Sequence, residues 1–152
     1  MRIGYIRYFF NPTMKDPEVR ILLVDDDRAS NFLNTRLIES VAGDLAIVSV
    51  LSAAEALKYF EGRQRFSKRK DRVVVLLDIN MPSMDGFEFL ESLKTINFDY
   101  TDITFFILSS SANIRDIKKA KSYKVDGYIT KPLSREKVQK ILDDLDYGYN
   151  DT

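Results

Sequence analysis

The 152-residue sequence predicts an α/β domain in which five parallel strands form one doubly wound sheet, with helices on both faces. Three observations lead to that expectation. Short aliphatic runs alternate five times with segments of helical hydrophobic spacing. The runs are apolar along their length, as in strands covered on both sides, and several stop abruptly at polar residues. A right-handed crossover helix returns the chain to the same end of the sheet, so this alternation favours parallel pairing.

The first strand is Val19-Arg20-Ile21-Leu22-Leu23-Val24, which runs into Asp25-Asp26-Asp27. Residues Arg28 to Val41 then place Phe32, Leu33, Leu37 and Val41 at helical spacing, with Asp27 available as amino-terminal cap. Leu45 to Val50 supplies the second strand and Ala53 to Phe60 the second helix, with Ser52 as its candidate cap. A very apolar third strand, Val73 to Leu77, ends at Asp78, and Gly86 to Ile96 forms the third helix. Ile103 to Leu108 is the fourth strand and leads into serines; Ile114 to Lys124 is helical, and Val125 to Ile129 is a short fifth strand. Val138, Ile141, Leu142 and Leu145 mark the inner face of a terminal helix that begins near Ser134. Between the second helix and third strand lies the basic segment 61–72, with Arg63, Arg65, Lys68, Arg69, Lys70 and Arg72. It reads as a solvated loop or an extra helical turn, the alternative being a docking patch for an acidic partner or RNA.

The composition, 45% hydrophobic and 30% charged, suits one soluble core. The expected division is an amino-terminal extension over 1–18, one domain over 19–147 and a tail over 148–152 that holds Tyr149, with Tyr147 at the domain's end. Within the extension, the aromatic and basic Met1–Phe10 reads as a poorly ordered segment or a start placed too early, with Met14 as the alternative start; a short surface anchor is the competing reading. No stretch approaches the roughly 20 apolar residues needed to span a bilayer, so the expected location is cytoplasmic, with no membrane association. Lys plus Arg equals Asp plus Glu at 23 each, which gives no global attraction toward nucleic acid. There is no cysteine and no histidine, which excludes disulfides, thiolate chemistry and imidazole bases. Chemistry must then come from Asp, Glu, Ser, Thr, Tyr or Lys.

Ligands of open parallel sheets bind beyond the carboxyl ends of the strands, which makes Asp25, Asp26, Asp78, Ser109 and Lys131 one candidate site. Three carboxylates gathered within a few ångströms repel one another and call for a cation. Magnesium suits such a site, because it takes oxygen ligands and commonly combines one or two carboxylates with phosphate. A strand delivers Asp78 into the loop Ile79-Asn80-Met81-Pro82-Ser83-Met84-Asp85-Gly86, which can hold it as a nucleophile toward phosphorus. Asn80 can offer a backbone oxygen to the metal, Ser109 a hydroxyl to a phosphoryl oxygen, and Lys131 an ammonium to Asp78 and later to the phosphoryl charge. Taken singly, each has a plainer role: a helix cap for the acidic pair, a loop hydrogen bond for Asp78, an inert polar loop for the serines and a surface amine for Lys131.

Together these segments resemble the receiver domain of two-component response regulators, the CheY-like superfamily, in its single-domain form. The resemblance rests on Ile21 to Asp27, Leu76 to Gly86, Leu108-Ser109-Ser110 and Lys131-Pro132, in that order, and covers residues 19–147. It implies a flavodoxin-like strand order 2-1-3-4-5, Mg2+ (Mn2+ able to substitute) in an acidic pocket of Asp25, Asp26, Asp78 and Asn80, and phosphoryl acceptance on Asp78. It further implies hydroxyl and lysine roles for Ser109 and Lys131, an aromatic switch at Tyr128, and an output surface built from the fourth helix, fifth strand and fifth helix. The implied partners are a sensor histidine kinase or histidine phosphotransfer protein and a downstream protein, with phosphorylation-dependent homodimerisation a further outcome and no direct DNA binding. The implied role is that of a phosphoacceptor regulator with intrinsic autophosphorylation and autodephosphorylation chemistry, not a metabolic enzyme; no output domain follows the fifth helix in this sequence. Residues Asn80 and Ser111 are the expected modulators of hydrolysis. Two other classes compete. A magnesium-dependent phosphatase would use the early Asp25-Asp26-Asp27 as its acidic nucleophile, although no cap domain is apparent. An inactive adaptor would keep the fold without phosphorylation.

Overall fold

The computed structural model describes residues 19–43, 45–66, 72–96 and 100–147, and the readings for 1–18, for 67–71 of the basic segment and for the tail lie outside them, as do the side chains of Arg65 and Tyr147. The elements alternate as β1 (Val19–Val24), α1 (Arg28–Ala42), β2 (Ala46–Val50), α2 (Ala53–Phe66), β3 (Arg72–Leu77), α3 (Gly86–Leu93), β4 (Ile103–Ser109), α4 (Ile114–Ser122), β5 (Gly127–Thr130) and α5 (Arg135–Tyr147). The five strands form one parallel sheet in the order β2-β1-β3-β4-β5.

The sheet is apolar on both sides because alternate residues of each strand face opposite layers. Leu22, Val24, Val73, Val75, Leu77 and Ile107 pack with Ala53, Ala56 and Phe60 of α2, Phe89 and Leu93 of α3, and Ala120 of α4. On the other side, Ile21, Leu23, Val74, Leu76, Phe106 and Leu108 meet Ile38 and Ala42 of α1 and Val138, Ile141, Leu142 and Leu145 of α5. At about 25 cal/mol per Å² of apolar surface removed from water, these two layers dominate the stability of the fold. The expected inner face of the last helix is therefore observed.

Helix entries follow the expected chemistry. The Asp27 carboxylate accepts the Ala29 N–H at 2.9 Å and caps α1; the Ser52 hydroxyl accepts the Glu55 N–H at 3.1 Å at the start of α2. Asp85 and Glu88 exchange backbone and side-chain hydrogen bonds as a capping box on α3.

Several details differ from the sequence reading. The face that α1 turns inward is Asn31, Ile38 and Ala42, with Leu37 and Val41 half-buried, whereas Phe32 and Leu33 are each 64% exposed. The helix α2 ends at Phe66 rather than Phe60, so the first part of the basic segment takes the extra helical turn of its two readings. The helix α3 stops at Leu93 and turns through Lys94 and Thr95. The helix α4 contributes one fully buried residue, Ala120. Its remaining hold on α3 includes a stack in which the Phe87 and Tyr123 rings lie 5.5 Å apart, with the Lys119 ammonium 4.4 Å from the Phe87 ring centre and that of Lys94 4.9 Å from Tyr123. Gly127 opens β5 where a Cβ would stand 2.7 Å from the Phe106 ring.

Candidate functional site

Four strands deliver a polar residue to one rim of the sheet. The ladder extends one residue beyond the strands: Asp78 N–H donates to the Val24 carbonyl at 2.9 Å, Asp25 N–H to Val50 at 3.2 Å, and Lys131 N–H to Ser109 at 2.8 Å. Val24 pairs with Leu77 and Ser109 with Thr130, so Asp25 and Asp78 emerge side by side and Lys131 emerges beside Ser109. Asp25, Asp78 and Ser109 are all buried, and Asp26 is exposed.

The Lys131 ammonium lies 2.6 Å from Asp25 Oδ2 and 3.0 Å from Asp78 Oδ2. The other oxygen of each carboxylate accepts a backbone N–H, from Asp27 for Asp25 and from Asn80 for Asp78, both at 2.9 Å. Burial is the main influence on Asp78 and leaves its pKa above the ordinary carboxylate value, against the opposing pull of the Asn80 N–H and the Lys131 ammonium. For Lys131, burial alone would lower the pKa, but the hydrogen bonds and charges of Asp25 and Asp78 together outweigh it and leave the group raised. The lysine is thus held as an ammonium between two carboxylates.

One carboxylate oxygen from each of Asp25, Asp26 and Asp78 lies within 4.8 Å of the others. An all-oxygen donor set at that spacing fits a hard divalent cation, and Asp26 is the exposed member of the three. Asn80 follows in the same loop, its side chain exposed and its amide 3.3 Å from Ser109 Oγ.

Ser109 Oγ also accepts the Ser111 N–H at 3.1 Å. Ser111 in turn has its three polar groups engaged. Its carbonyl accepts the Tyr128 hydroxyl at 2.7 Å, and its own hydroxyl donates to Asp116 at 2.7 Å and accepts the Asn113 N–H at 3.2 Å. Tyr128 is half-buried and packs against the α2–α4 layer. The rim, the start of α4 and Tyr128 are therefore joined through one residue.

All seven candidate residues fall within this connected region: Asp25, Asp26, Asp78 and Lys131 by direct approach, Asn80 and Ser109 by hydrogen bond, and Tyr128 through Ser111. The sequence reading paired Lys131 with Asp78 and did not anticipate its shorter contact to Asp25. It also missed Asn31, whose buried amide donates to the carbonyls of Asp25 at 2.9 Å and Val50 at 3.1 Å and so braces the acidic turn. Asn31 lies off the apolar stripe that spacing marks on α1, so the sequence carried no signal for it. Gly86 opens the third helix as expected; a Cβ there would come within 2.7 Å of the Asp78 carbonyl, so only glycine lets α3 start against the Asp78 backbone.

Comparison with known proteins agrees with this arrangement. A family model described as the response regulator receiver domain matches residues 21–143. The probable methanogenesis regulatory protein FilR2 of Methanothrix harundinacea is 30% identical over 131 residues, covering 86% of this chain and 83% of that protein. The probable C4-dicarboxylate response regulator DctR of Halalkalibacterium halodurans is 29% identical over 128 residues, 84% of this chain, which spans only about half of that relative at 51% of its length. The crystal structure of a two-component response regulator from Cytophaga hutchinsonii superimposes with a TM-score of 0.74 at 30% identity, covering 86% of this chain and 98% of that one. With the parallel sheet in the order 2-1-3-4-5 and an acidic rim facing a lysine, the chain belongs to the response regulator receiver domain family, whose work is phosphorylation-dependent signalling.

Proposed function

We propose that Asp78 is the phosphoacceptor of a switch over residues 19–147, loaded by a phosphohistidine on a sensor histidine kinase or a histidine phosphotransfer protein. The observation that carries this reading is the Lys131 ammonium held between Asp25 and Asp78 at the end of the sheet. An oxygen of the Asp78 carboxylate attacks phosphorus in line, the phosphorus–nitrogen bond of the donor breaks, and the imidazole departs with its electron pair. Lys131 then pairs with the phosphoryl oxygens, and the Ser109 hydroxyl hydrogen-bonds to one of them. Receiver domains bind Mg2+ at an acidic pocket, and here Asp25, Asp26, Asp78 and the Asn80 carbonyl are the candidate ligands. When bound, Mg2+, or Mn2+ in its place, would offset the charge of the transferring group.

Water attacking the same phosphorus, with Asn80 and Ser111 shaping its approach, breaks the bond from phosphorus to the Asp78 oxygen, frees the carboxylate and releases inorganic phosphate; with the transfer above, this makes up the chain's intrinsic autophosphorylation and autodephosphorylation chemistry. Movement of Ser109 toward the phosphoryl group pulls on Ser111 and thereby biases Tyr128 and the surface of α4, β5 and α5 toward one arrangement. That surface meets a downstream protein, with pairing of two phosphorylated copies as a further outcome. None of the described helices is long and apolar enough to cross a membrane, which fits the proposed cytoplasmic setting. The test is incubation of wild type and Asp78→Asn with a small phosphodonor and magnesium. Acid-stable, base-labile incorporation is expected in the wild type only; equal incorporation in both removes Asp78 as acceptor.

A further inference from the structure

We infer that Lys137, in the first turn of α5, is a positioning residue for Lys131; the inference rests on the phosphoacceptor reading for its functional consequence, and on geometry alone for its structural one. The Lys137 ammonium donates to the Thr130 carbonyl at 2.6 Å and to the Pro132 carbonyl at 2.8 Å. These are the two carbonyls that flank Lys131 in the chain. A single cation therefore holds the backbone on either side of the residue whose ammonium reaches Asp25 and Asp78.

The placement runs against helix chemistry. The Ser134 hydroxyl accepts the Lys137 N–H at 3.3 Å, which makes Ser134 the cap and Lys137 the third helical residue. At that position Glu or Gln would complete a capping box, whereas a cation meets the positive end of the helix dipole. Helix stability alone would not select lysine here. What the lysine gains is the pair of charge-assisted hydrogen bonds that fix the β5–α5 turn. With the Lys131 N–H already bound to the Ser109 carbonyl, the turn is held by three hydrogen bonds from two groups, and the long Lys131 side chain starts from a fixed point. An error of about 1 Å in placing such a group can cost on the order of a hundredfold in rate, so a backbone clamp at this turn bears directly on phosphoryl transfer.

The structure separates this role from ordinary stabilisation, because Lys137→Gln removes the clamp while completing the capping box. The measurements are thermal unfolding, amide hydrogen exchange at Lys131, and the saturating rate of Asp78 phosphorylation by a small phosphodonor with magnesium. For Lys137→Gln, the melting temperature is expected to hold or rise, the Lys131 amide to exchange faster, and the saturating rate to fall roughly tenfold, with Lys137→Arg restoring both. An unchanged Lys131 amide in Lys137→Gln overturns the clamp, as does a rate that falls only in step with lost stability. If the wild type itself takes no label, the phosphoacceptor reading fails separately, and the clamp still stands or falls on the amide exchange.

Discussion

Lys131 and Asp25, 106 positions apart in sequence, are joined by a 2.6 Å hydrogen bond, shorter than the 3.0 Å contact that Lys131 makes with Asp78. The lysine's shorter contact is thus to Asp25 rather than to the proposed acceptor. Burial disfavours the ionised form of Asp78.

The first consequence is that Asp78→Asn stabilises the fold at neutral pH. The Asp78 pKa is raised in the folded state, so folding favours its protonated form. Its contribution to stability is complete below the unfolded value near 3.8 and is lost as pH rises through the higher folded value. At pH 7 the neutral asparagine escapes that loss, so its melting temperature should lie above that of the wild type. Melting curves of both proteins from pH 3 to 8 should converge at the acid end; a variant less stable at pH 7 contradicts the sign.

Removing the cation acts in the opposite direction. Lys131→Met leaves Asp25 and Asp78 buried without their shared partner, which should cost about 2–4 kcal/mol at pH 7. The Lys131 pKa is raised, so its own contribution is complete below the unfolded value of 10.5 and is lost as pH climbs through the higher folded value. Denaturant unfolding at pH 7 and at pH 4 should show part of the deficit recovered in acid, where Asp78, its pKa raised by burial, protonates.

Magnesium should raise the melting temperature of the wild type, by an amount that grows with concentration as RT ln(1 + [L]/Kd). Asp26 is exposed, so Asp26→Asn should leave the metal-free stability within about 0.5 kcal/mol while abolishing most of the magnesium-dependent rise. Thermal scans over a magnesium series read both quantities. Equal shifts in the two proteins would remove Asp26 from the ligand set.

At Gly86 the expected change is steric. A Cβ would stand 2.7 Å from the Asp78 carbonyl oxygen and 2.8 Å from Ile79 Cα, both backbone atoms without a rotamer to give way. Gly86→Ala should cost about 1–3 kcal/mol and slow phosphorylation of Asp78 in the fraction that remains folded. Equilibrium unfolding and a labelling time course measure the two effects.

Tyr128→Phe removes the 2.7 Å hydrogen bond to the Ser111 carbonyl and keeps the ring. The expected loss of stability is about 0.5–1.5 kcal/mol. Labelling of Asp78 should persist while the phosphorylation-dependent change at α4, read by hydrogen exchange over 114–122, weakens. An α4 response equal to the wild type's would take the tyrosine out of the switch.

Much of this molecule can be read from its residues, because strands buried on both faces and helices capped at strand ends leave strong local signatures. The runs ending at Asp25, Asp78 and Ser109, and the caps Asp27 and Ser52, needed only spacing and side-chain chemistry. The strand order did not follow from the alternation and came from the family resemblance. On α1, Phe32 and Leu33 misled because helical spacing cannot tell which of two overlapping stripes turns inward, and the true one includes a buried asparagine. At residues 61–66 the basic composition left a solvated loop and an extra helical turn both open, because exposed charged side chains suit a helix surface as well as a loop, and it is the helix that continues. Contacts of long sequence separation, such as Lys131 with Asp25, and clamps such as Lys137 leave no local pattern to find.

The sparse seating of α4 has a mechanical consequence. One methyl group, a pair of stacked rings, a lysine over one of them and a serine–aspartate bond are modest attachments beside the interdigitated aliphatic layers under the other helices. The five strands behave as a rigid chassis, and this helix is the needle mounted on it. Under the proposed function, a disturbance too small to loosen the chassis is enough to swing the needle, and a local event at the rim becomes legible from outside without any part of the interior coming undone.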